Sequence, residues 1–80
     1  MGFSSSLHRF FHSYRETVYP DNQVLATRRT AEGVFEVVAW HCGFEVFYRP
    51  LKKRYGYFIR SFDNLGNAVN SMNASKIPNI

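Results

Sequence analysis

At 80 residues the chain has room for one domain, residues 1–80, and a modest core. With 45% hydrophobic and 20% charged residues it is not a disordered segment, and its single cysteine excludes an internal disulfide framework. A net charge of +4 favours acidic partners, no apolar run reaches the ~20 residues of a membrane span, and the expected setting is the cytoplasm.

The first residues carry two address-like patterns. Met1-Gly2 with Ser6 fits the loose template for myristoylation, and residues 1–15 hold Ser and Arg but no acid, as transit peptides do. The plainer reading is a capped helix. Ser4, Ser5 and Ser6 offer N-caps, and Leu7, Phe10, Phe11, Tyr14 and Val18 share one helical face. The spacing predicts a helix over 6–18 that ends before the turn cluster Tyr19-Pro20-Asp21-Asn22.

Four strands are expected next. Gln23 to Thr30 suits a strand with Arg28 and Arg29 at its wetter end, and Thr30-Ala31-Glu32-Gly33 reads as a tight hairpin with Gly33 able to take a positive φ. Val34 to His41 is rich in Val, Phe and Trp. Alternation places Val34, Glu36, Val38 and Trp40 on one face and Phe35, Val37, Ala39 and His41 on the other. Both faces are mainly apolar, so this strand should be central. Cys42-Gly43 forms a turn into Phe44 to Arg49, Pro50 to Arg54 is a loop, and Tyr55 to Ser61 is the last strand. A second helix follows, capped by Asp63 or Ser61, with Leu65, Ala68, Val69 and Met72 as its apolar stripe. The expected fold is α+β: a four-stranded antiparallel meander with an N-terminal and a C-terminal helix packed on it.

Little here points to catalysis. His8 and His12 are four apart on the first predicted helix, and His41 with Cys42 would complete four metal ligands only if the sheet turn came close. Cys42 has His41 beside it, but neighbours in a strand point to opposite faces, so His41 is badly placed to activate the thiol. The glycines are scattered at turns and make no phosphate loop. The expectation is a non-enzyme with neither metal nor cofactor.

Two features suggest binding. Arg49, Lys52, Lys53 and Arg54 surround one loop, with Tyr48, Tyr55 and Tyr57 beside them. Bases with interleaved rings serve single-stranded nucleic acid, through phosphate charge and base stacking, and serve an acidic protein face equally. The run Lys53-Arg54-Tyr55-Gly56-Tyr57 resembles the start of the RNA-recognition-motif signature over five residues. It departs from the signature at Arg54, Phe58 and Arg60, and the helix-first order departs from that fold, so no family is assigned. The second feature is the last helix, where Asn64, Asn67 and Asn70 begin an uncharged amide stripe that continues to Asn73. Such a stripe can hydrogen-bond a partner without desolvating charge.

The leading expectation is a protein-binding module that occupies a surface of a larger protein or nucleoprotein target. Its anchors would be the aromatic and basic residues of the loop, with the Asn stripe as a secondary contact. An aromatic share of 18% exceeds what so small a core can bury, which leaves rings for a partner. In size and layout the chain resembles phage anti-CRISPR proteins, which would make it an inhibitor carried by a mobile element. The alternatives are a basic RNA- or single-stranded-DNA-binding domain using the same loop, and a self-associating structural protein or homodimer.

Overall fold

The computed structural model describes residues 15–78. Five antiparallel strands are followed by one helix: β1 (Glu16–Thr17), β2 (Val24–Arg29), β3 (Gly33–Trp40), β4 (Gly43–Pro50), β5 (Gly56–Phe62) and α1 (Leu65–Ala74). The sheet order is β1-β5-β4-β3-β2, so the hairpins from β2 to β5 form a meander and β1 adds to its far edge. β3 and β4 are central, as their two-sided apolar pattern requires.

Alternation divides the core between the two faces of the sheet. Phe35 and Val37 of β3, with Val46 and Tyr48 of β4, meet Ala68 and Met72 of α1 on one face. On the other face Val38 and Phe47 pack with Tyr19, flanked by half-buried Val24, Trp40 and Phe58. Each fully buried Phe or Val contributes about 1.5–3 kcal/mol, and Phe35, Val37, Val38, Val46 and Phe47 are wholly enclosed. A register shift in the β4–β5 pairing brings Phe62 opposite Phe44 on the helix side. A second shift, between Val24 and Ala26, leaves Leu25 half exposed on the β2 edge.

Helix α1 is held at both ends. Asn64 is its N-cap, its side-chain oxygen accepting from the Asn67 N–H at 3.0 Å. At the other end Arg28 donates to the Met72 carbonyl from Nε (3.1 Å) and Nη2 (3.0 Å), and to the Ser75 carbonyl at 2.5 Å. Its guanidinium also lies 4.5 Å from the Phe35 ring centroid. One residue thus fastens the helix C-terminus to β2 and covers the core beneath.

Four expectations change. The sheet has five strands, not four, because Glu16 and Thr17 pair with Tyr57 and Gly56 of β5. The predicted N-terminal helix does not extend through its expected last residues: none of residues 15–18 is helical, Glu16 and Thr17 being strand, while residues 6–14 lie outside the described residues, as do the address-like patterns. A pair across an open sheet edge satisfies backbone groups that a helix end would leave to water. The cap of α1 is Asn64 rather than Asp63 or Ser61. Lastly, among the described residues no glycine has a positive φ; at the β3–β4 turn that role falls to His41 (φ 55°) and Cys42 (φ 62°). Gly33 matters for space instead, since a Cβ there would lie 2.5 Å from the Arg49 carbonyl oxygen and 2.6 Å from the Tyr48 hydroxyl.

Candidate binding surface

The sheet face opposite α1 carries a buried carboxylate. Glu36 points there from β3 and is only 4% exposed. Arg49, on β4, reaches it diagonally with two parallel bonds, Nε to Oε1 at 3.0 Å and Nη2 to Oε2 at 2.9 Å. The Tyr19 hydroxyl also donates to Oε1. Tyr19 reaches this position because Gly56 leaves room beside it: a Cβ on Gly56 would lie 2.8 Å from the Tyr19 ring. The Tyr19 ring sits 4.4 Å from that of Phe47. Burial, and then the bond to Glu36, raise the Tyr19 phenol above its ordinary value. The same carboxylate holds the proton of Arg49 more tightly.

Cross-strand pairing sets the cations around this network. Arg29 of β2 pairs with Val34 of β3, and Val34 pairs with Arg49 of β4, so the three form one row across the sheet. The loop after β4 then brings up Lys52, Lys53 and Arg54, all exposed. Lys52 takes a positive φ of 67° as the chain reverses. Two recesses result, and Arg49 borders both. One, about 350 Å³, is lined by Val18, Tyr19, Asp21, Arg49, Lys53 and Arg54. The other, about 270 Å³, lies between the β2–β3 turn and the β4–β5 loop, with Arg29, Val34, Arg49, Leu51 and Lys52 in its wall. Val18 and Leu51 are among the most exposed large apolar residues, at 70% and 58%.

The residues singled out from sequence fall in different places. Arg49, Lys52, Lys53 and Arg54 do come together. Tyr48 does not join them: it lies in the core on the helix face, 4.9 Å from the Phe35 ring, and is no surface anchor. Alternation forces this, because residue 48 faces away from residue 49. Tyr55 and Tyr57 are half buried and packed edge to face at 5.4 Å. The Tyr57 phenol is pushed up to about 12, first by its hydrogen bond with Tyr55 and then by burial, with Glu16 adding to the effect. Lys53 places its Nζ over the Tyr55 ring, 6.0 Å from the centroid. Asn64 serves the helix as its cap, while Asn67 and Asn70 are exposed on the outer side of α1.

Arg29, Val18 and Leu51 were not anticipated. Arg29 was legible in principle, since strand alternation from Val34 leads to it once the hairpin register is known. The helical spacing assigns Val18 to the apolar face of the predicted helix, and Leu51 lies in a loop whose sequence signal is its charge.

At the other end of the sheet, His41 stacks on Trp40 at 4.2 Å and its Nδ1 lies 3.1 Å from Glu45 Oε2. Cys42 is exposed beside it. Among the described residues no three His, Cys, Asp or Glu side chains gather as metal ligands, and His8 and His12 lie outside those residues. No helix of the described residues is long and apolar enough to cross a membrane. Comparison with protein-family models, curated proteins and solved structures finds no match for this chain. Fold and geometry define it as a small α+β domain whose antiparallel sheet bears one helix on one face and an arginine-centred, cation-rimmed surface on the other.

Proposed function

We propose that the protein is a non-enzymatic binding module that docks the Arg49 end of its sheet onto an acidic surface of a larger protein. One observation carries this reading. Cations from three separate stretches, Arg29, Arg49 and Lys52 to Arg54, meet around two recesses beside exposed Val18 and Leu51. Cations steer an acidic partner and fix its orientation, and buried aliphatic contacts slow its release. Among the described residues Arg29, Lys52, Lys53 and Arg54 form no ion pair, so their charge is available to a partner. Occupying a surface in this way suits an inhibitor, of the kind that phages and other mobile elements carry.

The nucleic-acid reading uses the same loop but needs rings beside the phosphate-binding cations. Tyr48 is buried, and Tyr55 and Tyr57 pack against each other. The exposed apolar groups next to the cations are aliphatic, which favours a protein. A second copy of the chain is a poor occupant of this surface, since like charges would meet.

The test is a titration at two salt concentrations with a labelled acidic polypeptide and with labelled RNA and DNA oligonucleotides. The acidic polypeptide is expected to bind. A variant with Arg29, Lys52, Lys53 and Arg54 all replaced by Ala is expected to lose that binding. Tighter binding to generic oligonucleotides, falling steeply with salt, would overturn the proposal in favour of a nucleic-acid binder.

A further inference from the structure

We infer that this surface holds two separate carboxylate seats, one on each side of Arg49, and that its occupant is a polypeptide segment carrying two acidic side chains with aliphatic neighbours. The inference rests on the binding reading above and sharpens it.

Arg49 is the reason for two seats rather than one diffuse patch. Its guanidinium spends Nε and Nη2 on Glu36, at 3.0 and 2.9 Å, so it cannot swing to follow a ligand. An arginine has five N–H donors, so this one keeps donors to offer from a fixed position. It forms the shared wall of both recesses. Each recess repeats one composition: two further cations and one exposed aliphatic residue. On one side these are Lys53, Arg54 and Val18. On the other they are Arg29, Lys52 and Leu51.

Spacing and charge then describe the occupant. Arg29 and Arg49 stand two strands apart in one cross-strand row, about 10 Å between backbones. The seats are not equal, because Asp21 lines the Lys53 recess and offsets part of its charge, whereas no acid side chain lines the Arg29 recess. The Arg29 seat should therefore hold its carboxylate more tightly. A uniform polyanion would satisfy the cations but leave Val18 and Leu51 against water. An acidic segment with aliphatic side chains satisfies both.

The test uses synthetic peptides and fluorescence anisotropy with the full chain. The parent peptide carries two Glu residues, spaced to reach both seats, among Leu residues. Two derivatives replace one Glu or the other by Gln, and a polyglutamate peptide serves as the plain polyanion. Each peptide is titrated against wild type, Arg29→Glu, Lys53→Glu and Arg60→Glu, the last outside both recesses. Urea unfolding checks that each variant keeps its stability. Arg29→Glu and Lys53→Glu should each weaken the parent peptide by about tenfold or more, with Arg29→Glu the more damaging. Each Gln derivative should respond strongly to one of the two variants and weakly to the other, in opposite senses. Arg60→Glu should change little. If both variants weaken every peptide equally, or polyglutamate binds as well as the parent, the two-seat inference is overturned while the binding module stands. If no acidic peptide binds wild type, both fall together.

Discussion

Tyr19 donates its hydroxyl proton to a carboxylate that the sheet has withdrawn from water, and Arg49 supplies the matching charge. Removing one partner leaves the others unsatisfied, which costs more than the bond itself contributes. Glu36→Gln should therefore lower stability by about 1–3 kcal/mol, at the lower end of buried pairs because Arg49 is a third exposed. Tyr19→Phe should cost about 1–2 kcal/mol, and the two changes together should cost less than their sum, because they share a bond. Urea denaturation checks all three. Alkaline pH acts on the same residue. The folded state keeps the phenol protons of Tyr19 and Tyr57 above the ordinary value of 10.0. A raised value means that the folded state binds the proton more tightly. The associated stability is complete below pH 10 and is lost as pH rises through the folded values. For Tyr57 that window closes at about 12. Unfolding midpoints should fall with pH across this range, and Tyr19→Phe should flatten part of the slope. An unchanged slope would show that Tyr19 ionises as freely folded as unfolded.

Strands and helix depend on a few fastenings that local pattern does not display. Arg28 closes the end of α1 through the Met72 and Ser75 carbonyls while lying over Phe35. Arg28→Ala should cost about 1.5–3 kcal/mol, the range for charge-assisted bonds, and should speed hydrogen exchange in the last turn of α1 ahead of the central strands. Lys at this position restores the charge but not the fork, so Arg28→Lys should recover only part of the loss. The β3–β4 turn offers the opposite case. His41 and Cys42 both take positive φ where a two-residue hairpin favours Asn and Gly. Cys42→Gly should raise stability by about 0.5–1 kcal/mol and leave the stacking of His41 on Trp40 in place. Thermal or urea unfolding that moved the other way would mean that the exposed thiol makes a contact worth more than the strain.

For the whole molecule, the binding surface and the core make separate demands. The cations that rim the recesses are exposed, and such side chains contribute within about 0.5 kcal/mol of nothing to folding. The variant neutralised at Arg29, Lys52, Lys53 and Arg54 should thus unfold at nearly the wild-type urea concentration while losing its acidic partner. Coincident loss of folding and binding would place these residues in the architecture instead. The fold was legible where period was strong. The four meander strands fall within a residue of their expected bounds, and α1 contains its expected apolar stripe, because buried faces impose a period on Val, Phe and Ala. β1 was not legible, since two residues have no period. Half of the surface was legible too: the loop cations are consecutive in sequence, whereas Arg29 joins them only through hairpin register.

What the chain alone determined is its class, an antiparallel sheet with a C-terminal helix and an excess of positive charge. Composition and alternation are local properties, and burial acts on them directly. Tertiary structure alone decided which side of the sheet each residue serves. It sent Tyr48 into the core while Arg49 faced outward, drew Tyr19 onto Glu36, and set Arg29 in line with Arg49. Those outcomes depend on which strands become neighbours and where a bulge shifts the register, and both are settled by the packing of the whole sheet.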